Sequence, residues 1–288
     1  MGAAHGGLDH GQPADPPHLP AAAAAGHRLL HEIRTPLMTQ TRVIPLNGTF
    51  NLRDLGGYPG ANGETTWRRL LRADSLHRLT QAEMGELRHL GCSTVIDLRG
   101  PDEVSAQPNP FGSVDGPIAY HNISLFSGLD PTRTDLMEAD DVLFALYCAA
   151  LDDCGPSFAE VLRLIAEAPG LVVFHCTAGK DRTGMIAAFL LLLAGTPRDR
   201  IVADYALTAA HAPAMFAALQ AELTDAGRDF DLASPLLLSN AATMDAFLEH
   251  LDAVHGGAET YLMASGLTET DLAALRARML RAEPEEVA

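Results

Sequence analysis

Apolar residues along this chain fall into two kinds of run. Short stretches rich in apolar and β-branched residues, "TFNL" (49–52), "WRRLLRA" (67–73), "STVIDLR" (93–99), "IAYHNI" (118–123) and "LVVFHC" (171–176), read as strands. Turn-rich or helix-like text separates most of them. The clearest helix is "LTQAEMGELRHLG", where Thr80 is placed as N-cap, Glu83 three residues on as its capping-box partner, and Gly91 as the stop. Beyond Gly184 the pattern is almost wholly helical, with pieces near 185–194, 197–222, 241–255 and 268–282. Strands alternating with helices predict an α/β fold: a central, mostly parallel sheet flanked by helices, with a largely helical C-terminal part.

Two regions depart from this layering. Residues 1–37 are rich in Ala, Gly, Pro and His without a period of 2 or 3.6, and are expected to be a disordered leader to a single domain over 38–288. Between "ISLF" and "LVVF", "TDLMEADDVLFALYCAALDD" and "GPSFAEVLRLIAEA" read as two helices. The second suits a crossover packed on the sheet. The first, part of a segment over about 126–155, suits either a core helix or a mobile cover over a site.

A chain of 288 residues with 47% hydrophobic content can bury a large core. Its formal charge of -17 argues against nucleic-acid partners, so any anionic substrate must be caught locally. Cys92, Cys148, Cys154 and Cys176 show neither CxxC pairing nor zinc-ligand spacing with histidines, which fits reduced thiols in a cytoplasmic protein. No run reaches the length of a membrane span, and "AAAAAG" is too short and weakly apolar for a signal peptide. Secretion by a route without a signal peptide stays open.

The chemistry concentrates in "HCTAGKDRTG" (175–184), a small glycine-bearing loop between an apolar strand and an apolar helix. Such a loop turns several unpaired backbone N–H groups toward one small volume, which attracts an anion. Arg182 adds a planar, permanently charged fork for two oxygens of a phosphate. The same field would stabilise a thiolate on Cys176, making nucleophile and phosphate cradle one structure. An ATP-binding loop is not satisfied, because Asp181 rather than Ser or Thr follows Lys180.

These residues carry a resemblance. His-Cys, five residues, Arg and then Thr-Gly resembles the signature loop of cysteine-dependent tyrosine phosphatases, and the fuller "HCTAGKDRTG" is similar to that of the bacterial tyrosine and dual-specificity phosphatase family. "NGTFNLRDLGGY", "RADSLHRLT", "VIDLRGPDEV" and "HGGAETYLMASGLT" also resemble that family, over roughly Val43 to Met279. The resemblance implies that Cys176 forms a phosphocysteine. It makes Arg182 the holder of the equatorial oxygens, and Thr177, Ala178, Gly179, Lys180 and Asp181 the rest of the phosphate loop. It further implies that Thr183 sits near the cysteine sulfur and that His175 orders the loop without acting as a base. No metal or cofactor is implied.

The wider tyrosine phosphatases take their general acid from a Trp-Pro-Asp loop, whereas the single tryptophan here, Trp67, has no Pro-Asp after it. Asp181 is the preferred donor, with Asp130, Asp140, Asp141, Asp152 and Asp153 as competitors if the intervening segment folds over the pocket. Asp97 is expected in support, paired with a loop Arg or Lys or in an ordinary ion pair. Arg68 and Arg69 read as a solvated strand face, and Gly56 and Gly57 as turn residues. The expected substrate is a phosphorylated protein or peptide, with phosphotyrosine leading. Serine or threonine esters, and phosphoinositides suggested by Lys180, are the alternatives; a non-catalytic phosphate-binding module is the rival from another class.

Overall fold

Successive side chains of a strand point to opposite faces, and "LVVFH" is apolar on both. Leu171 and Val173 join one buried cluster with Leu71, Ala73 and Val95, while Val172 and Phe174 join another with Leu70 and Ile96. An unbroken apolar run of this kind belongs in the interior of a parallel sheet covered on both sides. The computed structural model describes residues 2, 41–113, 116–126, 138–225, 227 and 234–280. Apart from Gly2, these belong to one compact unit that begins at Thr41.

The strands, in chain order, are β1 (Arg53–Asp54), β2 (Pro59–Gly60), β3 (Gly63–Glu64), β4 (Leu70–Ala73), β5 (Cys92–Asp97), β6 (Ala119–Asn122) and β7 (Leu171–His175). A five-stranded sheet has the order β1-β4-β7-β5-β6, with β2 and β3 forming a separate hairpin. Only the β1–β4 pairing in the large sheet is antiparallel. The register sets Ala73, Asp97 and His175 level with one another. The loops that leave β4, β5 and β7 therefore start at the same edge, outside the carboxyl ends of parallel strands, where open α/β sheets build their sites.

The helices are α1 (Gln81–His89), α2 (Pro101–Ala106), α3 (Val142–Asp153), α4 (Gly155–Glu167), α5 (Asp181–Leu193), α6 (Arg198–Ala206), α7 (Thr208–Asp225), α8 (Ala241–His255), α9 (Ala258–Ala264) and α10 (Glu269–Met279). Met84 and Leu87 of α1 cover one side of the sheet, and residues of α3, α4, α5, α8, α9 and α10 cover the other. Helix α5 is buried almost all round, as a central helix must be when its whole surface is apolar. Among the described residues no single helix is long and apolar enough to cross a membrane.

Several elements differ from the sequence reading. "TFNL" is not a strand, because the N–H groups of Phe50 and Asn51 donate to the Asp74 carboxylate and leave none for a strand partner there. Arg68 is not on a strand face; it has φ 59°, and its backbone N–H and guanidinium both donate to Asp54. The helix expected over 197–222 is two helices separated at Leu207, and α9 was not foreseen. It begins after Gly256 and Gly257, whose φ values of 72° and 90° stop α8. Helix α3 is core rather than cover, since Leu143, Leu146, Tyr147, Ala150 and Leu151 are buried. The leader over 1–37, Gly2 apart, and residues 127–137 before α3 lie outside the described residues.

The N-cap of α1 is as read. Thr80 Oγ1 accepts from Glu83 N–H, and Glu83 Oε2 accepts from Thr80 N–H at 2.9 Å. Thr80→Ala is expected to lower the unfolding free energy by about 1 kcal/mol, a typical capping contribution, measured by urea titration.

Candidate active site

Alternation along β7 continues one residue beyond it. Cys176 falls on the side of Phe174, bordering the larger core cluster, and is 2% exposed. Loop residues Thr177–Lys180 follow, and α5 starts at Asp181. Each loop carbonyl is held from outside. Ser75 N–H donates to Thr177 O at 3.0 Å, Asn51 Nδ2 to Ala178 O at 2.9 Å, and Arg72 Nη2 to Gly179 O at 2.7 Å and Lys180 O at 3.4 Å. In a planar trans peptide the N–H points opposite to the C=O. Fixing these four carbonyls outward therefore turns the N–H groups of Ala178, Gly179, Lys180 and Asp181 inward. No hydrogen bond among the described residues uses them. Gly179 has φ 65°, and a Cβ there would lie 2.4 Å from Ala73 O, so both conformation and space demand glycine.

The outer holders are themselves braced. Asp204 takes Arg72 Nη1 at 2.6 Å, Arg53 Nε at 3.1 Å and Tyr58 OH at 2.8 Å, with both arginines and the aspartate almost completely buried. Burial opposes the Asp204 charge, but the two guanidinium groups outweigh it and hold its carboxyl well below the usual carboxylate range. Removing one partner from such a buried set leaves an uncompensated charge, a loss of about 3–5 kcal/mol.

On the opposite face of β7, His175 serves as a spacer. Asn109 Oδ1 accepts from Phe111 N–H at 3.0 Å, which aims the Asn109 NH₂ group at His175 Nε2, 2.8 Å away. Nε2 is then an acceptor, and Nδ1 carries the proton donated to Cys176 O at 3.1 Å. Burial pushes the His175 pKa down to about 4, so the ring is neutral near pH 7. Asp97 does not pair with Arg182 or Lys180. Its carboxylate binds Arg99 Nε at 2.9 Å and Nη2 at 2.7 Å, and these contacts overcome burial to bring its pKa to about 2. Arg99 continues to Ser75 Oγ and Gln107 O, tying together the segments that surround the loop.

Arg182 is aimed by Glu103 in α2. Nη1 donates to Oε2 at 2.5 Å and Nη2 to Oε1 at 2.9 Å, so the end of the guanidinium is taken and its Nε edge makes no hydrogen bond among the described residues. Glu103 also accepts from Thr177 Oγ1. Burial alone would raise the Glu103 pKa; the bonds from Arg182 and Thr177 lower it to about 2. Burial likewise opposes the Arg182 charge, yet Glu103 and the nearby Cys176 sulfur hold it above its ordinary value. The cysteine and the arginine singled out from sequence thus lie within electrostatic reach of one another.

Asp181 lies at the first position of α5, and its Oδ1 accepts from Tyr147 OH. The competing aspartates that the structure describes are exposed or otherwise engaged. Asp141 caps α3 and accepts from Thr243 Oγ1, Asp140, Asp152 and Asp153 are exposed, and Asp130 lies outside the described residues. Lys180 is buried; its Nζ donates to Leu236 O at 2.5 Å and Leu238 O at 2.6 Å and lies 3.4 Å from Asp181 Oδ1. The Thr183 hydroxyl is buried and makes no hydrogen bond among the described residues, Cys176 included. Beside Thr177 and Glu103 opens a cavity of about 570 Å³, walled also by Leu219, Leu223 and Glu222. Among the described residues no group of three or more His, Cys, Asp or Glu is placed to hold a metal ion.

Glu103, Asn51, Arg72, Asn109, Asp204 and Tyr147 were not singled out from sequence. Asn51, Arg72 and Glu103 lie inside the family-like blocks quoted above, a signal that could have raised them. Tyr147 lies in an apolar helix with no local mark of function.

The family model described as "Tyrosine phosphatase family" matches residues 44–281. A tyrosine-protein phosphatase of Nostoc commune is 36% identical over 220 residues, covering 73% of each chain. The triple specificity protein phosphatase PtpB of Mycobacterium tuberculosis is 26% identical over 279 residues, covering 82% of this chain and 98% of its own. Among solved structures, P. aeruginosa TpbA in complex with pTyr aligns at 17% identity over 60% of this chain and 79% of its own, with a TM-score of 0.32.

Two outcomes follow from the geometry. Glu103→Gln frees the Arg182 fork and should weaken binding of inorganic phosphate about 10- to 100-fold, as expected for one charged hydrogen-bond pair, measured by calorimetry. His175 has a folded pKa below its unfolded value, so its stabilising contribution is whole above pH 6.5 and falls toward pH 4. The stability advantage of the natural chain over His175→Asn should therefore shrink by up to about 1.4 kcal/mol per pH unit in that window, read from urea unfolding at stepped pH.

Proposed function

The chain belongs to the tyrosine phosphatase family, and on that premise we propose that it hydrolyses phosphotyrosine monoesters by a metal-independent route through phosphocysteine. The observation that carries this reading is the inward-facing N–H cradle that follows buried Cys176, with Arg182 in the first turn of the next helix. The phosphate oxygens take the loop N–H groups and the free edge of Arg182. Cys176 sulfur attacks phosphorus, the S–P bond forms as the ester P–O bond breaks, and Asp181 gives its proton to the departing oxygen. A water then attacks phosphorus, Asp181 takes its proton, and the S–P bond breaks to restore the thiolate. Charge that develops on the equatorial oxygens meets donors already in place, the economical form of transition-state stabilisation.

Acceptance of serine and threonine esters is the second arm of the reading. The roomy cavity beside Thr177 supports it, as does the name of the mycobacterial relative. Phosphoinositides find less support, because the Lys180 ammonium is engaged by two backbone carbonyls. A cytoplasmic setting belongs to the same proposal and is consistent with four unpaired cysteines.

Cys176→Ser should abolish turnover of p-nitrophenyl phosphate while retaining phosphate binding, and EDTA should leave the natural chain's rate unchanged. Equal rates in the two proteins would overturn the enzyme reading. Run alongside, phosphotyrosine, phosphothreonine and phosphoinositide substrates rank the arms of the proposal.

A further inference from the structure

Two buried tyrosines beside Asp181 have no part in the steps above. Tyr147 in α3 is 0% exposed and Tyr205 in α6 is 1% exposed, and their hydroxyls lie 2.7 Å apart. A phenol has one proton to donate. Tyr147 gives its proton to Asp181 Oδ1, so the bond between the phenols must run from Tyr205 to Tyr147. The chain Tyr205 to Tyr147 to Asp181 is thereby directed. Burial, followed by the nearby negative charge of Asp181, pushes both phenols above their ordinary range, so neither ionises near neutral pH.

The position of the Tyr147 hydroxyl is set by core packing. Its ring makes edge contacts with Phe247 at 5.9 Å and Tyr205 at 6.4 Å, between helices that together cover the sheet. Lys180 Nζ also faces Asp181 Oδ1, at 3.4 Å. The two donors therefore converge on one carboxyl oxygen. Oδ2 has no partner among the described residues, on a side chain that is 22% exposed.

We propose that Tyr147, backed by Tyr205, is a positioning residue for proton transfer: by occupying Oδ1 it confines the transferable proton of Asp181 to Oδ2 and fixes the plane of the carboxyl group. This rests on the reading of Asp181 as general acid. In the first displacement the proton leaves Oδ2 for the ester oxygen as the P–O bond breaks. In the second, Oδ2 receives a proton from the attacking water as the S–P bond breaks. The tyrosine protons stay where they are throughout, and no further reactant is needed.

The test is kcat/KM across aryl phosphates of graded leaving-group pKa, for the natural chain, Tyr147→Phe, Tyr205→Phe, Asp181→Asn and the Asp181→Asn, Tyr147→Phe double variant. Tyr147→Phe should lose about tenfold on the poorest leaving groups, a share of the 10²–10⁴ that a general acid supplies, and little on the best. Its inhibition by inorganic phosphate should be unchanged. Tyr205→Phe should show the same slope with a smaller loss, and it carries the test if Tyr147→Phe does not fold. On the Asp181→Asn background the Tyr147 change should cost nothing further, since the two act through one proton. A loss equal across all leaving groups, or one that persists in the double variant, would overturn the positioning role while leaving the acid in place. A flat leaving-group response for Asp181→Asn itself would overturn the acid assignment and this inference with it.

Discussion

A loop can present its N–H groups to an anion only if its carbonyls have partners behind it, and this molecule meets that condition with a backbone amide, an asparagine and an arginine. Four successive carbonyls, Thr177 to Lys180, are claimed by Ser75, Asn51 and Arg72. Arg72 could not lie in the interior without a counter-charge, and Asp204 provides one, shared with Arg53. The cost of desolvating these charges is offset only while every member is in place. Much of what surrounds the loop, from the Asn51 turn to the α6–α7 junction, is arranged around that requirement.

Charge is handled in the same way at a larger scale. A chain of formal charge -17 must still gather an anion, and it does so with local positive charge in directed positions rather than with a basic surface. Two carboxylates, Glu103 at the site and Asp97 buried behind it, are given over to holding arginines, and both have their pKa drawn down to about 2. Their arginines then diverge. Arg99 is wholly enclosed and ties three segments together, whereas Arg182 keeps one edge for a ligand.

What could be read in the sequence was what is local. The β7–loop–α5 unit announces itself because an apolar run, a glycine that must have positive φ and a helix start are contiguous, and the α1 capping box spans four residues. Cys176, Arg182 and Asp181 ride on that unit. Glu103 and Asn109 were hidden because their partners are 79 and 66 residues away. Tyr147 was hidden for a different reason: a buried aromatic in an apolar helix looks the same whether its hydroxyl is idle or faces Asp181. "TFNL" misled because propensity gave way to a tertiary contact, the Asp74 carboxylate capturing the N–H groups that a strand would use. Arg68 misled similarly, since Asp54 rather than the strand ladder sets its backbone.

The brace on Arg72 comes from Asp204, and Asn51 also donates to Thr208 Oγ1. On the ribosome, synthesis delivers Cys176 and its loop before the acidic residue that steadies that loop. The brace behind the loop is complete only when the later helices arrive and dock, so a truncated or half-made copy would carry the signature motif without the support that holds its carbonyls outward.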